Sequence, residues 1–283
     1  MHPAEPDSAG GDQATPSSPD AATGSARGVE ASDDSRLSPH AIPGYTILRA
    51  LASDTATPVF LARRELDNEP VVIKIPDFTA ARTPSQRAHA RWRAEQLARI
   101  HSPHVVRLTA VQLDHAPPYE VQEYLPAGSL QDRMWHMLPV DLLLNWFDQI
   151  LQALEAVHAA HLVHLDVKPA NLLFRDQETL VLLDFGIAAR VGDYPPQLPG
   201  GAHSGTPVYM SPEHGQGERV DARSDLYSAG IVLHELLAGT PPFEGATAAQ
   251  TVYKHLHEEV PLLPRAHRRL QGLIDGLLAK SPA

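Results

Sequence analysis

An α+β chain of two lobes, a small antiparallel β-sheet with one helix ahead of a larger and mainly helical part, is what the sequence predicts. Short β-branched and apolar runs, most of them divided by turn residues, occupy 45–125. A single helical stretch, at about 83–100, interrupts them. After Gly128 the apolar spacing becomes that of helices, and a sheet-rich third followed by a helical remainder suggests two lobes with a cleft between them.

The elements follow in order. Residues 1–43 are mainly Ala, Gly, Ser, Pro and Asp, and their seven acids (Glu5, Asp7, Asp12, Asp20, Glu30, Asp33, Asp34) against Arg27 and Arg36 give −5 of the net charge of −11. Such a segment buries too little surface to offset its ordering entropy, so a disordered acidic tail is expected. The small lobe is expected over 44–125, with strands at 45–51, 59–62, 71–75, 105–113 and 119–125. The large lobe follows over 126–283. Within 140–158, Leu143, Phe147, Ile150, Leu151, Leu154 and Val157 share one helical stripe, and 224–238 form a second apolar helix that stops at Gly239-Thr240-Pro241-Pro242.

Composition narrows the function. A chain of 283 residues, 43% apolar and 20% charged, buries a real core but is too short for two large domains. The absence of cysteine excludes disulfides, Cys-ligated zinc and thiol catalysis, and fits a reducing compartment. The charge of −11 argues against a nucleic-acid binder. No run approaches a membrane helix, and Met1-His2-Pro3-Ala4-Glu5-Pro6 lacks the regions of a signal peptide, so a cytoplasmic protein is expected. Only four of the 23 basic residues are lysines: Lys74, Lys168, Lys254 and Lys280.

The richest stretch is His164-Leu165-Asp166-Val167-Lys168-Pro169-Ala170-Asn171, with Asp184-Phe185-Gly186 thirteen residues on. Asp166 is suited to accept the proton of an attacking hydroxyl, and Lys168 to offset charge on a transferred phosphoryl group. Asn171 and Asp184 supply hard oxygens for Mg²⁺. Singly each is an ordinary loop residue; in this order they are suited to phosphoryl transfer from a metal-bound nucleotide.

These residues make the chain resemble, over 44–283, the eukaryotic-like serine/threonine protein kinases in their bacterial form. Val71-Val72-Ile73-Lys74 looks like the strand whose lysine holds the α and β phosphates, and Gly205-Thr206-Pro207 to Ser211-Pro212-Glu213 like the end of the activation segment. Asp225 matches the aspartate that braces the catalytic loop. In Gln122-Glu123-Tyr124-Leu125, the C=O of Glu123 and the N–H of Leu125 are expected to meet adenine. The resemblance implies the two-lobed kinase fold, ATP with Mg²⁺ or Mn²⁺, and nucleotide contacts from Lys74, Leu51, Val59, Val72, Glu123, Leu125 and Leu173. It implies catalytic Asp166 and Lys168, metal-binding Asn171 and Asp184, and supporting Asp225, Glu213, Thr206 and Glu95. Lys168 and Thr206 mark Ser/Thr protein substrates in the family, which also suggests a cognate phosphatase and a phosphothreonine-binding partner.

Four departures accompany the resemblance. The glycine positions of the nucleotide loop read Ala52, Asp54 and Thr57. At the helix position of the glutamate that pairs with Lys74 stands Arg93, with Glu95 about 200° around the helix. Either the register shifts and Glu95 serves, or Lys74 answers to Asp184 alone; Leu97, four residues after Arg93, fits the apolar spine and favours the second. Leu165 replaces the arginine that pairs with an activation-segment phosphate, so little dependence on such phosphorylation is expected. The arginine that pairs with Glu213 in the family lies beyond Ala283, which suggests a domain cut before its last helix unless Arg265, Arg268 or Arg269 substitutes.

Sixteen histidines offer no third ligand at metal spacing beside His255 and His257 or His161 and His164, so structural roles are expected, His164 packing with Phe185. Gln122 stands where most kinases carry an apolar residue, and either shapes the back of the adenine pocket or bonds locally. Two functions stay open: an ATP-dependent Ser/Thr protein kinase in bacterial signalling, or a pseudokinase or nucleotide-binding scaffold.

Overall fold

The computed structural model describes residues 42–52, 57–75, 84–134, 138–196 and 204–281. Residues 1–41 of the expected tail and Asp54 of the nucleotide loop lie outside them. The small lobe holds strands β1 (Tyr45–Ala52), β2 (Val59–Arg64) and β3 (Pro70–Lys74), helix α1 (Pro84–Leu97), then β4 (Leu108–Gln112) and β5 (Tyr119–Glu123). The strands form one antiparallel sheet in the order β1-β2-β3-β5-β4.

Alternation along β3 divides the sheet into two faces. Val71 and Ile73 are buried with Ala62, Tyr119 and Val121. Ile42 joins this cluster at 3% exposure, so the core of the lobe takes in a residue ahead of the expected start at 44. The opposite face carries Val72 and Lys74, and the register sets Gln122 and Glu120 directly across from them. Among its described side chains, helix α1 buries the narrow strip Ala90, Ala94 and Leu97.

Strand β4 starts at Leu108, not at 105, because Val105 and Val106 belong to the other lobe. The N–H of Val106 donates to Leu182 O (3.0 Å), that of Leu182 to His104 O (2.8 Å), and both valines enter the large core with Leu97.

The large lobe contains α2 (Leu130–Arg133), α3 (Val140–Ala159), β6 (Leu162–Val163), β7 (Leu172–Phe174), β8 (Leu180–Leu182), β9 (Ala189–Arg190), α4 (Pro212–Gln216), α5 (Ala222–Ala238), α6 (Ala248–His257) and α7 (Gln271–Leu277). Two short antiparallel pairs, β6 with β9 and β7 with β8, carry the loops that matter below. The expected stripe of α3 is buried at Leu143, Phe147, Ile150, Leu154 and Val157, each worth about 1.5–3 kcal/mol when removed from water.

Helix α5 starts two residues before expectation because Asp221 caps it, accepting from the N–H of Arg223, and it ends at Gly239 with φ +81°. Most of its circumference is buried, as befits a central helix. At Gly230 an added Cβ would lie 2.7 Å from Leu277 Cβ, so the missing side chain is what lets α7 pack this closely.

Candidate active site

Strand β6 delivers the chain to the loop 164–168, and α5 holds that loop from below. Asp225, fully buried in the first turn of α5, accepts the N–H groups of His164 and Leu165 (2.8 Å each), and His158 Nε2 lies 2.8 Å from the same carboxylate. This clamp keeps Leu165 in the left-handed region (φ +67°), a conformation that costs an L-residue about 1–2 kcal/mol. The Leu165 side chain packs among Val163, Ile187, Ala189 and Val220, so an apolar patch stands where the family places an arginine. His164 Nδ1 accepts the N–H of Asp166 (3.2 Å), so Nε2 carries the proton and donates to Leu183 O (2.8 Å). Its ring meets Phe185 edge-on at 4.6 Å, the expected packing role.

Asp166 is held from three sides. Its Oδ2 receives Lys168 Nζ (2.7 Å) and Asn171 Nδ2 (2.8 Å), and its Oδ1 receives the hydroxyl of Thr206 (3.2 Å). Lys168 also donates to Thr206 Oγ1 (2.8 Å), and Asn171 to the Asp166 carbonyl (2.8 Å). The loop and the Gly205-Thr206-Pro207 segment are thereby locked together around one carboxylate.

Across the cleft, Lys74 Nζ lies 3.0 Å from Asp184 Oδ1. Burial works to raise the acid's pKa, yet the Lys74 ammonium, with the Gly186 N–H, overcomes it and holds the carboxyl below its ordinary range. Asp184 sits at φ +66°, and its Oδ1 accepts the N–H of Gly186 (3.3 Å).

Arg93, not Glu95, points from α1 to this centre. Arg93 Nη1 donates to Gly186 O (2.7 Å), and Nη2 pairs with Glu120 Oε1 (3.3 Å). Glu95 is exposed and lines a groove of about 250 Å³ with Arg91 and Asp114, away from the cleft. The expectation that Glu95 supports Lys74 is therefore corrected: α1 is regular, and two residues of helix turn Glu95 away. Glu120 was not anticipated, and neither was Arg175, whose guanidinium grips the Glu123 carboxylate (2.8 Å). An acid facing the lone lysine of β3 was the available signal for Glu120, but it required the register of β5 on β3.

The remaining expected residues lie as follows. Val72 and Lys74 share a face; Leu125 is 5% exposed; Leu173 is half-buried between Leu172 and Phe174; Val59 is half-buried and Leu51 exposed at the ends of β2 and β1. Glu213 accepts the Ser224 hydroxyl (2.5 Å), whereas Arg268, one of the three arginines considered for it, donates to Leu263 O (3.1 Å).

The donor set fits Mg²⁺. Asn171 turns its Nδ2 to Asp166, which leaves Oδ1 as its free ligand atom, and Asp184 adds a carboxylate: hard oxygens of the kind Mg²⁺ selects. Among the described residues no three His, Cys, Asp or Glu side chains converge, so a cation here draws its other ligands from phosphate and water.

The model of the protein kinase domain family matches residues 45–283. The chain belongs to the protein kinase family. The kinase domain is 32% identical over 253 residues to serine/threonine-protein kinase PknB of Mycobacterium leprae, covering 87% of this chain and 40% of that protein. It is equally identical over 252 residues to PknB of Mycobacterium tuberculosis strain H37Rv, with 86% and 40% covered. A probable serine/threonine-protein kinase of Streptomyces coelicolor, SCO3848, is 38% identical over 197 residues, 67% of this chain and 29% of that one. The kinase domain thus spans about two fifths of the length of the PknB relatives it matches. No helix among its described residues is long and apolar enough to cross a membrane.

Proposed function

We propose that this domain transfers the γ-phosphoryl group of ATP to Ser or Thr hydroxyls of proteins, in bacterial signalling. The observation that carries the reading is the closed network on Asp166, a carboxylate aimed by Lys168, Asn171 and Thr206, together with the pairing of Asp184 to Lys74. Bound Mg²⁺·ATP supplies the transferable group and the charge that balances it.

Asp166 accepts the proton of the substrate hydroxyl, and Lys168 offsets charge where the phosphoryl group passes. Lys74 steadies the α and β phosphates. Asn171 Oδ1 and the Asp184 carboxylate hold the metal. Leu51, Val59, Val72 and Leu173 sandwich the adenine, whose edge meets the backbone of Glu123 and Leu125. The Lys168–Thr206 contact favours Ser/Thr over Tyr substrates, and the apolar surroundings of Leu165 support activity without activation-segment phosphorylation. By family analogy a phosphatase and a phosphothreonine-binding protein complete the signal, in the cytoplasm.

The test is incorporation of labelled phosphate from ATP and Mg²⁺ into a generic protein substrate, beside Asp166→Asn. A general base contributes roughly 10²- to 10⁴-fold, so the variant should fall by about that factor. Equal incorporation by both proteins, or none by either despite ATP binding, would overturn the reading.

A further inference from the structure

We infer that Arg93 is a positioning residue of this active site: paired with Glu120, it performs with inverted charge the alignment of Lys74 and of the Asp184–Gly186 turn. The inference rests on the kinase reading above and adds two residues to it.

The register of β3 on β5 sets Lys74 directly opposite Glu120. Cross-strand partners on one face have Cβ atoms about 4.5–5.5 Å apart, so these two are natural ion-pair partners. The observed pairing differs. Lys74 reaches Asp184 (3.0 Å), and Glu120 is taken by Arg93 (3.3 Å), with only 13% of the Arg93 side chain and 10% of the Glu120 side chain exposed. Arg93 thus neutralises the carboxylate that would otherwise draw Lys74 back into the sheet. A glutamate at 93 would set a second acid against Glu120, so the inversion works only as a pair.

The other arm of the guanidinium explains why arginine suits the position. Nη1 donates to Gly186 O (2.7 Å), and the Gly186 N–H returns to Asp184 Oδ1 (3.3 Å). One planar fork therefore joins α1, β5 and the turn that carries the metal-binding aspartate. Two more contacts come from the same helix face, at the spacing i, i+3, i+4. His89 Nε2 lies 3.3 Å from Ala188 O, and Trp92 lies under the Arg190 guanidinium at 4.2 Å. Three side chains of α1 hold the segment 186–190 in place without a phosphate.

Mg²⁺·ATP engages Lys74 and Asp184, whereas adenosine reaches neither, so calorimetric titration with both ligands separates positioning from general damage. Arg93→Gln keeps a donor for Gly186 O and drops the charge. It should weaken Mg²⁺·ATP about tenfold and leave adenosine within about twofold, and adding Glu120→Gln should restore most of the loss. Should Arg93→Gln fail to fold, Glu120→Gln alone tests the same idea: without the competing acid, Mg²⁺·ATP should bind at least as tightly as to wild type. Unchanged Mg²⁺·ATP binding in Arg93→Gln, equal losses for both ligands, no rescue by the second change, or weaker Mg²⁺·ATP binding in Glu120→Gln would each overturn the inference alone. Wild-type protein that binds neither ligand would overturn the kinase reading and this inference with it.

Discussion

The two walls of the cleft are built by different rules. On the large-lobe side, Asp166, Lys168, Asn171, Asp184, Thr206 and Asp225 stand where the family pattern puts them, and hydrogen bonds join Asp166 to three of the others. On the small-lobe side Lys74 is kept but its surroundings are not. Its partner on α1 is replaced by a cation bound to a strand acid, and a buried glutamine lies where an apolar residue is usual. The contrast separates two kinds of requirement. The groups proposed to touch the proton or the metal are dictated by the reaction. Groups that only align them can be exchanged for others that give the same charge balance and the same fixed geometry.

The largest break expected in this comparison comes from Asp225→Ala. It strips two buried N–H groups and His158 of their shared acceptor, at about 3–5 kcal/mol. Urea denaturation should show that loss and phosphorylation should collapse with it; a loss under about 1 kcal/mol would mean that the loop holds its shape unaided. Next comes Leu165→Arg, which returns the family arginine to this loop. Here it would enter the apolar patch of Val163, Ile187, Ala189 and Val220, so stability should fall by about 2–3 kcal/mol with no gain in rate. A variant as stable as wild type would show that the patch is not what fixes the loop.

A smaller effect links the two walls. Lys74 lowers the pKa of Asp184 below its ordinary 3.8, so the folded state binds that proton less readily than the unfolded chain. The stabilisation is fully present above about pH 4 and is lost as the pH falls through the lowered value. The Asp184 side chain is 46% exposed, so screening keeps the contribution below about 1 kcal/mol. Lys74→Met should remove it, and the stability difference between the two proteins should shrink as acid titrates the carboxylate. A difference that does not vary with pH would assign it to packing. The smallest effect is none: phosphatase-treated and autophosphorylated protein should give equal initial rates, and a large fall on dephosphorylation would contradict the role given to Leu165 and α1.

The large-lobe wall was legible almost whole, since it lies within the eight residues 164–171 and three outlying ones, Asp184, Thr206 and Asp225. Lys74 was legible because lysine is scarce here, with four in the chain. The helical phase also showed that Arg93 and Glu95 cannot both face the cleft, and the structure chooses Arg93. What escaped was pairing between distant segments. Glu120 is an unremarked strand acid until β5 is registered on β3, and Arg175 meets Glu123 only once the lobes are assembled. Val105 and Val106 read as strand residues by composition, yet the N–H of Val106 bonds to Leu182 O and that of Val105 turns back to Ser102 O.

The grip of Arg175 on Glu123 has a mechanical consequence. Arg175 also donates to Pro103 O, while Glu123 accepts the N–H of Arg107, so one guanidinium ties the end of β5 and the connection leading into β4 to the large lobe. A small rotation of the upper lobe about that tie displaces each part of the cleft in proportion to its distance from it. Residues near the axis, Glu123 and Leu125, scarcely travel, whereas Lys74, at the far end of β3, would sweep a wider arc. A nucleotide held as proposed would keep its adenine end near that axis, while its phosphate end would follow any such rotation.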